Sequence, residues 1–159
     1  MNMKTIKHMK ITQVLILTGL LLFTTSAFAR LGETREQIDK RYGQGTRSDI
    51  QRLEGAETIK YHFDNFEVEV VFHDNKSIWE IFHNPQGRVS TRDSKMFLKA
   101  NSDDRHTWQY EGMNHGWERS GSPKDIGYLW PGHEDYFCIE DVKAVEAIQN
   151  SNASETGGF

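Results

Sequence analysis

The sequence predicts an α+β domain, an antiparallel β-meander sheet with helices packed on one face. Three β-branched and aromatic runs between Glu57 and His83 are separated by two Asp-Asn pairs, which suit two-residue hairpin turns with positive φ. Amphipathic segments before, between and after the strand-rich stretches have the spacing of helices. Since helices alternate with meanders, the order also suggests one helix-plus-meander unit used twice.

The individual elements follow from local signals. Thr34 and Gln37 form a capping box at the start of a first helix, which ends at Gly43. A second helix opens at Ser90 or Thr91. The later elements are predicted as three or four strands and a final helix, Asp141–Gln149. The candidate strands are Thr107–Tyr110, a short piece around Trp117, Ile126–Trp130 and Asp135–Ile139.

The two Asp-Asn turns also predict a strand register. The first turn pairs Phe63 with Phe66, Tyr61 with Val68 and Ile59 with Val70; the second pairs Val70 with Trp79 and Val68 with Ile81. All the members of one face are then apolar. They are Ile59, Tyr61, Phe63, Phe66, Val68, Val70, Phe72, Trp79 and Ile81.

Residues 1–29 predict a cleavable secretory signal peptide. Three lysines within the first ten residues precede an apolar run over residues 11–23, and Ala27-Phe28-Ala29 fits the small-x-small site of signal peptidase. The run is shorter than the ~20 residues that a membrane-spanning helix needs. No cysteine lies near the cleavage site, where a lipoprotein would carry its lipid. We therefore expect a periplasmic or extracellular protein with no membrane anchor after cleavage.

The chain that remains is acidic. The leader takes three of the 19 basic residues and none of the 23 acidic ones, which leaves a formal net charge of −7. Its Lys and Arg residues are scattered among acids, so nucleic acid is not an expected partner. Its length suits a single globular domain at residues 30–150, followed by a flexible tail at 151–159.

A metal site is one interpretation of the second face of the predicted sheet. The register sets Glu69 opposite Glu80, with Lys60 on the other side of Glu69 and His62 opposite Glu67. Facing carboxylates repel unless they share a cation or a proton, so Glu67, Glu69, Glu80 and His62 are candidate metal ligands. The alternative is a solvated sheet face with the same residues.

A binding site is the interpretation of the aromatic residues in the second half. Trp108, Trp117, Tyr128 and Trp130 alternate with glycines, and aromatics on such segments can anchor protein or sugar ligands. The alternative is that they fill the core of a domain without disulfides. The run His133-Glu134-Asp135 has three polar groups at a turn, which fits a hairpin tip better than an ion site.

Cys138 is the single cysteine, so no internal disulfide can form. It precedes the predicted C-terminal helix, and a helix N-terminus can activate a thiol. The alternation around it fits a buried, inert thiol instead. No phosphate-binding loop, serine nucleophile elbow or zinc signature is present in the sequence, and no cofactor is expected.

The segment from Gly32 through Tyr42-Gly43 resembles the opening of many small exported bacterial proteins of unknown function. In these a Gly-x-Thr-x-x-Glu/Gln helix ends at Tyr-Gly before a β-meander. Trp117-Glu118-Arg119-Ser120 and Ile126-Gly127-Tyr128 also resemble that group. The opening is more remotely similar to small outer-membrane assembly lipoproteins and to the β-lactamase-inhibitor-like fold. The resemblance implies a small envelope or secreted binding module.

These observations favour a non-enzymatic exported binding or interaction module. Its expected partner is another envelope protein or a small ligand. The alternative is a metal-dependent or cysteine hydrolase of the cell envelope. A structural protein that self-associates through an exposed strand edge is the third interpretation.

Overall fold

The computed structural model describes residues 30–102, 107–112, 116–120 and 125–156. The predicted signal peptide lies outside this part of the chain. The helices are α1 (Arg35–Tyr42), α2 (Thr91–Ala100) and α3 (Val142–Thr156). The strands are β1 (Thr46–Arg47), β2 (Glu57–Phe63), β3 (Phe66–His73), β4 (Lys76–His83), β5 (Trp108–Gly112), β6 (Gly116–Arg119), β7 (Asp125–Trp130) and β8 (His133–Asp141).

The eight strands form one antiparallel sheet, which confirms the predicted fold class. Their order is β1-β2-β3-β4-β8-β7-β6-β5. Two four-stranded meanders therefore join through their last strands, β4 and β8. Each meander is preceded by one helix, α1 or α2, so the topology repeats a helix-plus-meander unit. The two units share one continuous sheet.

Helix α1 forms as its sequence predicts. The Thr34 hydroxyl accepts a hydrogen bond from the Gln37 amide, and the Gln37 side chain accepts one from the Thr34 amide at 2.8 Å. Gly43 ends the helix with a φ of 85°, which favours glycine. Ile38 is fully buried, and the Tyr61 hydroxyl donates to Asp39 Oδ1 at 2.8 Å. These contacts hold α1 on β2.

The first hairpin has the predicted register, with Phe63 opposite Phe66, Tyr61 opposite Val68 and Ile59 opposite Val70. We call the side of the sheet that carries these residues the first face and the other side, with Lys60, His62, Glu67 and Glu69, the second face. The first face holds the main core, where Phe97 of α2 stacks on Phe82 with ring centroids 3.9 Å apart.

The predicted register of the second hairpin is wrong by one residue. Phe72 pairs with Ser77, as a two-residue turn requires, but Val71 pairs with Trp79, so Ile78 is the extra residue of a β-bulge. A shift of one residue moves every later side chain to the other face. Val70 therefore pairs with Glu80 and Val68 with Phe82, while Trp79 and Ile81 point to the second face.

The bulge buries a carboxyl group in the main core. Glu80 is 0% exposed on the first face, and its Oε2 accepts a hydrogen bond from Asn101 Nδ2 at 3.2 Å. Its Oε1 has no hydrogen-bond partner within the described residues. Glu80 is thus not opposite Glu69, whose partner across the strands is Ile81.

Helices cover both faces of the sheet, whereas the sequence predicted helices on one face only. Val145 and Ile148 of α3 pack with Val71, Ile78 and Leu53 on the second face. The reason is that β3 and β4 are apolar on both faces near their shared turn, and the bulge adds Ile78 to that cluster. Helix α3 continues to Thr156, into the segment predicted as a flexible tail, and Asn152 Nδ2 donates to the Glu54 carbonyl at 3.0 Å.

Candidate functional site

Two adjoining cavities lie on the second face beside the area that α3 covers. The first, of about 280 Å³, lies over β2, β3 and β4 and is lined by Lys60, His62, Glu67, Glu69 and His83, among others. The second, of about 300 Å³, is lined by Trp130, His133 and Asp135. Arg52 and Tyr136 line both. We call the two cavities together the groove.

The first wall of the groove is an ion-paired cluster. Arg52 Nε donates to Glu69 Oε2 at 2.6 Å, and Lys60 Nζ lies 3.7 Å from Glu69 Oε1. The Glu69 side chain is only 13% exposed, so these two cations face a carboxylate that is largely shielded from water. Arg52 precedes β2 in the connection from β1, which crosses the second face there.

His83 joins three strands at the base of the groove. Its Nδ1 lies 3.2 Å from Glu67 Oε2 on β3, and its Nε2 lies 3.4 Å from Asp135 Oδ2 on β8. A neutral imidazole has a single N–H, so only the protonated ring can donate to both carboxylates. The ring also stacks on Tyr136, with centroids 4.3 Å apart and planes inclined at 13°.

The second wall is aromatic. Trp130 stacks on Trp79 with centroids 5.7 Å apart and meets Tyr136 edge to face at 6.2 Å. The Arg52 Cζ atom lies 5.7 Å from the centre of the Trp130 ring, within range of a cation–π contact. Burial and the carboxylate of Asp135 raise the pKa of the Tyr136 hydroxyl, which therefore remains a hydrogen-bond donor.

The structure divides the predicted metal ligands between the two faces. Glu67, Glu69 and His62 line the groove, and His62 pairs with Glu67 across β2 and β3 as predicted. Glu80 lies in the core on the first face, because of the bulge. Within the described residues, no group of three or more His, Cys, Asp or Glu side chains could hold a metal ion.

Of the four aromatic residues predicted to bind, only Trp130 lines the groove. Trp108 and Trp117 pack against the core of the first face. Tyr128 lies on the second face, opposite Cys138, and its hydroxyl donates to Glu140 Oε2 at 2.9 Å. Trp108 and Trp117 thus follow the alternative interpretation of the sequence, in which such aromatics fill the core.

Cys138 is a buried thiol on β8. It pairs with Ile81 on one side and Tyr128 on the other, and it is 0% exposed. Burial raises its pKa to about 12, so the thiolate is scarce at neutral pH. This residue has the properties of a core side chain.

Sequence reasoning missed three residues that are central to the groove. Arg52 lies in a polar stretch with no motif, His83 ends a strand, and Tyr136 is one residue of the predicted strand Asp135–Ile139. Asp135 was considered, but as part of a hairpin tip. The pairing of β4 with β8 brings His83 opposite Tyr136, and the sequence pattern of each strand does not specify that pairing.

No family model, curated protein or solved structure matches the chain. Within the described ranges, none of the helices has the length and apolar character needed to cross a membrane.

Proposed function

We propose that the protein is an exported, non-enzymatic binding module whose ligand site is the groove on the second face. The observation that carries this proposal is the junction of two cavities at Arg52 and Tyr136, between an ion-paired wall and an aromatic wall. Concave sites with aromatic walls and a few polar groups at defined positions are typical of small-ligand binding. The ligand is a small molecule, or a short segment of another envelope protein that fits the same groove.

Binding is favoured over hydrolysis by the state of the acidic and nucleophilic groups. Glu69 faces Arg52 and Lys60, and His83 lies between Glu67 and Asp135, so each of these three carboxylates already has a basic partner. A hydrolytic cysteine needs an accessible thiolate and a nearby base. The burial and raised pKa of Cys138 argue against that role.

Export is supported by the way in which Arg30 is held. The Arg30 carbonyl accepts hydrogen bonds from Ser77 Oγ at 2.9 Å and from the Glu33 amide at 3.1 Å, and its own nitrogen lies 3.2 Å from Glu33 Oε2. Cleavage after Ala29 turns that nitrogen into an ammonium group. In a chain that starts at Arg30, the hydrogen bond from this nitrogen to Glu33 would become an ion pair.

A fragment screen with matched variants tests the groove. Mature protein starting at Arg30 is exposed to a set of neutral, cationic and anionic fragments, and binding is detected by ligand-observed NMR. We expect Tyr136→Ala to remove the hits. Tyr110→Ala, which removes a 57% exposed tyrosine on β5 far from the groove, should retain them. Hits that survive in Tyr136→Ala and disappear in Tyr110→Ala would refute the proposal, as would a screen without any hit.

A further inference from the structure

We infer that the groove recognises a carboxylate, held by the terminal nitrogens of Arg52 and the hydroxyl of Tyr136, on a ligand with a planar or apolar body. This inference rests on the proposed function, because it names the ligand class of the same site. It is drawn from the hydrogen-bond donors that the folded chain leaves open, from the charges around them and from the surfaces beside them.

The open donors are at the junction of the two cavities. Arg52 uses its Nε for Glu69, and its Nη1 and Nη2 have no hydrogen-bond partner within the described residues. The Tyr136 hydroxyl has none there either. These three atoms are not buried, so water can reach each of them. A ligand that enters the groove can replace that water.

The Arg52 side chain is already oriented for a ligand. Glu69 holds its Nε edge, and the Trp130 ring lies against its Cζ atom. A guanidinium fixed in this way loses little conformational freedom when it binds. Its end-on pair of N–H groups matches the two oxygens of a carboxylate, which it can bind in a bidentate manner.

The charges of the groove favour a ligand with one negative charge over a ligand with two. The cations are Arg52 and Lys60, and the anions are Glu67, Glu69 and Asp135. A monoanionic ligand is attracted by Arg52 and is repelled only moderately by these carboxylates. A phosphate dianion carries more charge toward the same three acids and is expected to bind less well.

The surfaces beside Arg52 are suited to a flat or apolar ligand body. Trp130 and Tyr136 form one side, and Ile81 and the 45% exposed Ile50 line the first cavity. An exposed isoleucine at a cavity is an apolar surface that a ligand can cover. Each cavity is near the lower end of the range for small-molecule sites, so the expected ligand is small.

Paired probes test the inference by calorimetric titration of the mature protein. The panel consists of small carboxylates, benzoate, indole-3-acetate and hexanoate, each with its carboxamide, together with phenylphosphonate. We expect the carboxylates to bind at least about tenfold more tightly than their amides, because hydrogen bonds to a charged acceptor are stronger than hydrogen bonds to a neutral amide. Phenylphosphonate should bind more weakly than benzoate.

Variants of Arg52 and Tyr136 test whether these two residues cause the preference for carboxylates over amides. Arg52→Gln should remove the difference between acid and amide, and Arg52→Lys, which keeps the charge without the planar fork, should retain only part of it. Tyr136→Phe removes one hydroxyl and should reduce the preference, while Tyr110→Phe should leave it unchanged. Circular dichroism confirms that each variant is folded.

The outcomes separate the inference from the proposed function. Acids and amides that bind equally, with affinity still lost in Tyr136→Ala, would overturn carboxylate recognition and leave the groove as the binding site. Tighter binding of phenylphosphonate than of benzoate would also overturn it. If no probe of any kind binds, both the inference and the proposed function fail.

Discussion

At the scale of single residues, Glu80 is the clearest departure from a simple core. Burial raises the pKa of its carboxyl group to about 8, and the hydrogen bond from Asn101 opposes this shift only in part. The negative charge of Glu33 raises the pKa further, and Arg41 lowers it. At neutral pH Glu80 is therefore mainly protonated, which avoids a bare charge in the interior of the protein.

The titration of Glu80 predicts a pH dependence of stability. Its folded pKa lies above the ordinary value of 4.5, so its contribution is complete below about pH 4.5 and is lost as the pH rises to about 8. Glu80→Gln removes this titration. We expect wild-type protein to lose more stability than Glu80→Gln between about pH 5 and about pH 8 in urea unfolding. The exposed Glu36→Gln is the control and should follow the wild type. An equal loss in wild type and Glu80→Gln would contradict the assignment.

Cys138 gives a second prediction at this scale. Because its thiol is fully buried and its pKa is raised, it should react with a maleimide only when the protein opens. We expect labelling of the native mature protein to be at least about tenfold slower than labelling in concentrated urea. Cys138 is the single cysteine, so mass spectrometry of the intact chain reports on it alone. Equal rates in both conditions would mean that the thiol is accessible.

At the scale of elements, the sequence predicted the strands and helices better than their exact pairing. The capping box at Thr34 and the two Asp-Asn turns are local chemistry, and both formed as predicted. The bulge at Ile78 was not predicted, although the Asp74-Asn75 turn that precedes it formed as predicted. It places Ile78 and Trp79 in a cluster with residues of α3, which lies far away in the sequence. Turn chemistry alone carries no sign of that contact.

The contact between α2 and the second meander predicts the effect of a small substitution. A Cβ atom on Gly127 of β7 would lie 2.6 Å from Leu98 Cδ2 of α2, too close for a packed core. Gly127→Ala should therefore lower the free energy of unfolding by about 1–3 kcal/mol. In a Leu98→Ala background the same change should cost less, because the contact with Leu98 is gone and the 3.3 Å approach to Phe137 Cζ remains. Urea unfolding of the double-mutant cycle measures this, and strictly additive effects would contradict the close approach.

At the scale of the whole molecule, the continuous sheet predicts one cooperative unit. Strands β4 and β8 pair over five positions, from Trp79 with Glu140 to His83 with Tyr136. Val70→Ala in the first meander should destabilise the protein by about 1–3 kcal/mol. The melting temperature should fall equally by far-UV circular dichroism and by tryptophan fluorescence, to which Trp108 and Trp117 of the second meander contribute. Two separate transitions would show that the meanders unfold independently.

The groove could be predicted only in part, because it is assembled from distant segments. The sequence pointed to Glu67, Glu69, His62 and Trp130, which all line it, but for different sites. Arg52 comes from the connection before β2, and Asp135 and Tyr136 come from β8. Their meeting requires β4 and β8 to be neighbours, a pairing of strands more than fifty residues apart. Hydrophobic periodicity describes each strand and does not specify which strands are neighbours.

The most direct test of the central claim is an amide-shift map of isotope-labelled mature protein, titrated with the tightest-binding fragment of the screen. We expect the largest shifts at Arg52, His83 and Tyr136 and in the strands that carry Glu69 and Trp130. Residues of the first face, such as Tyr110, should move little. Shifts confined to the first face or to the edge strand β5, with the groove residues unchanged, would contradict the account.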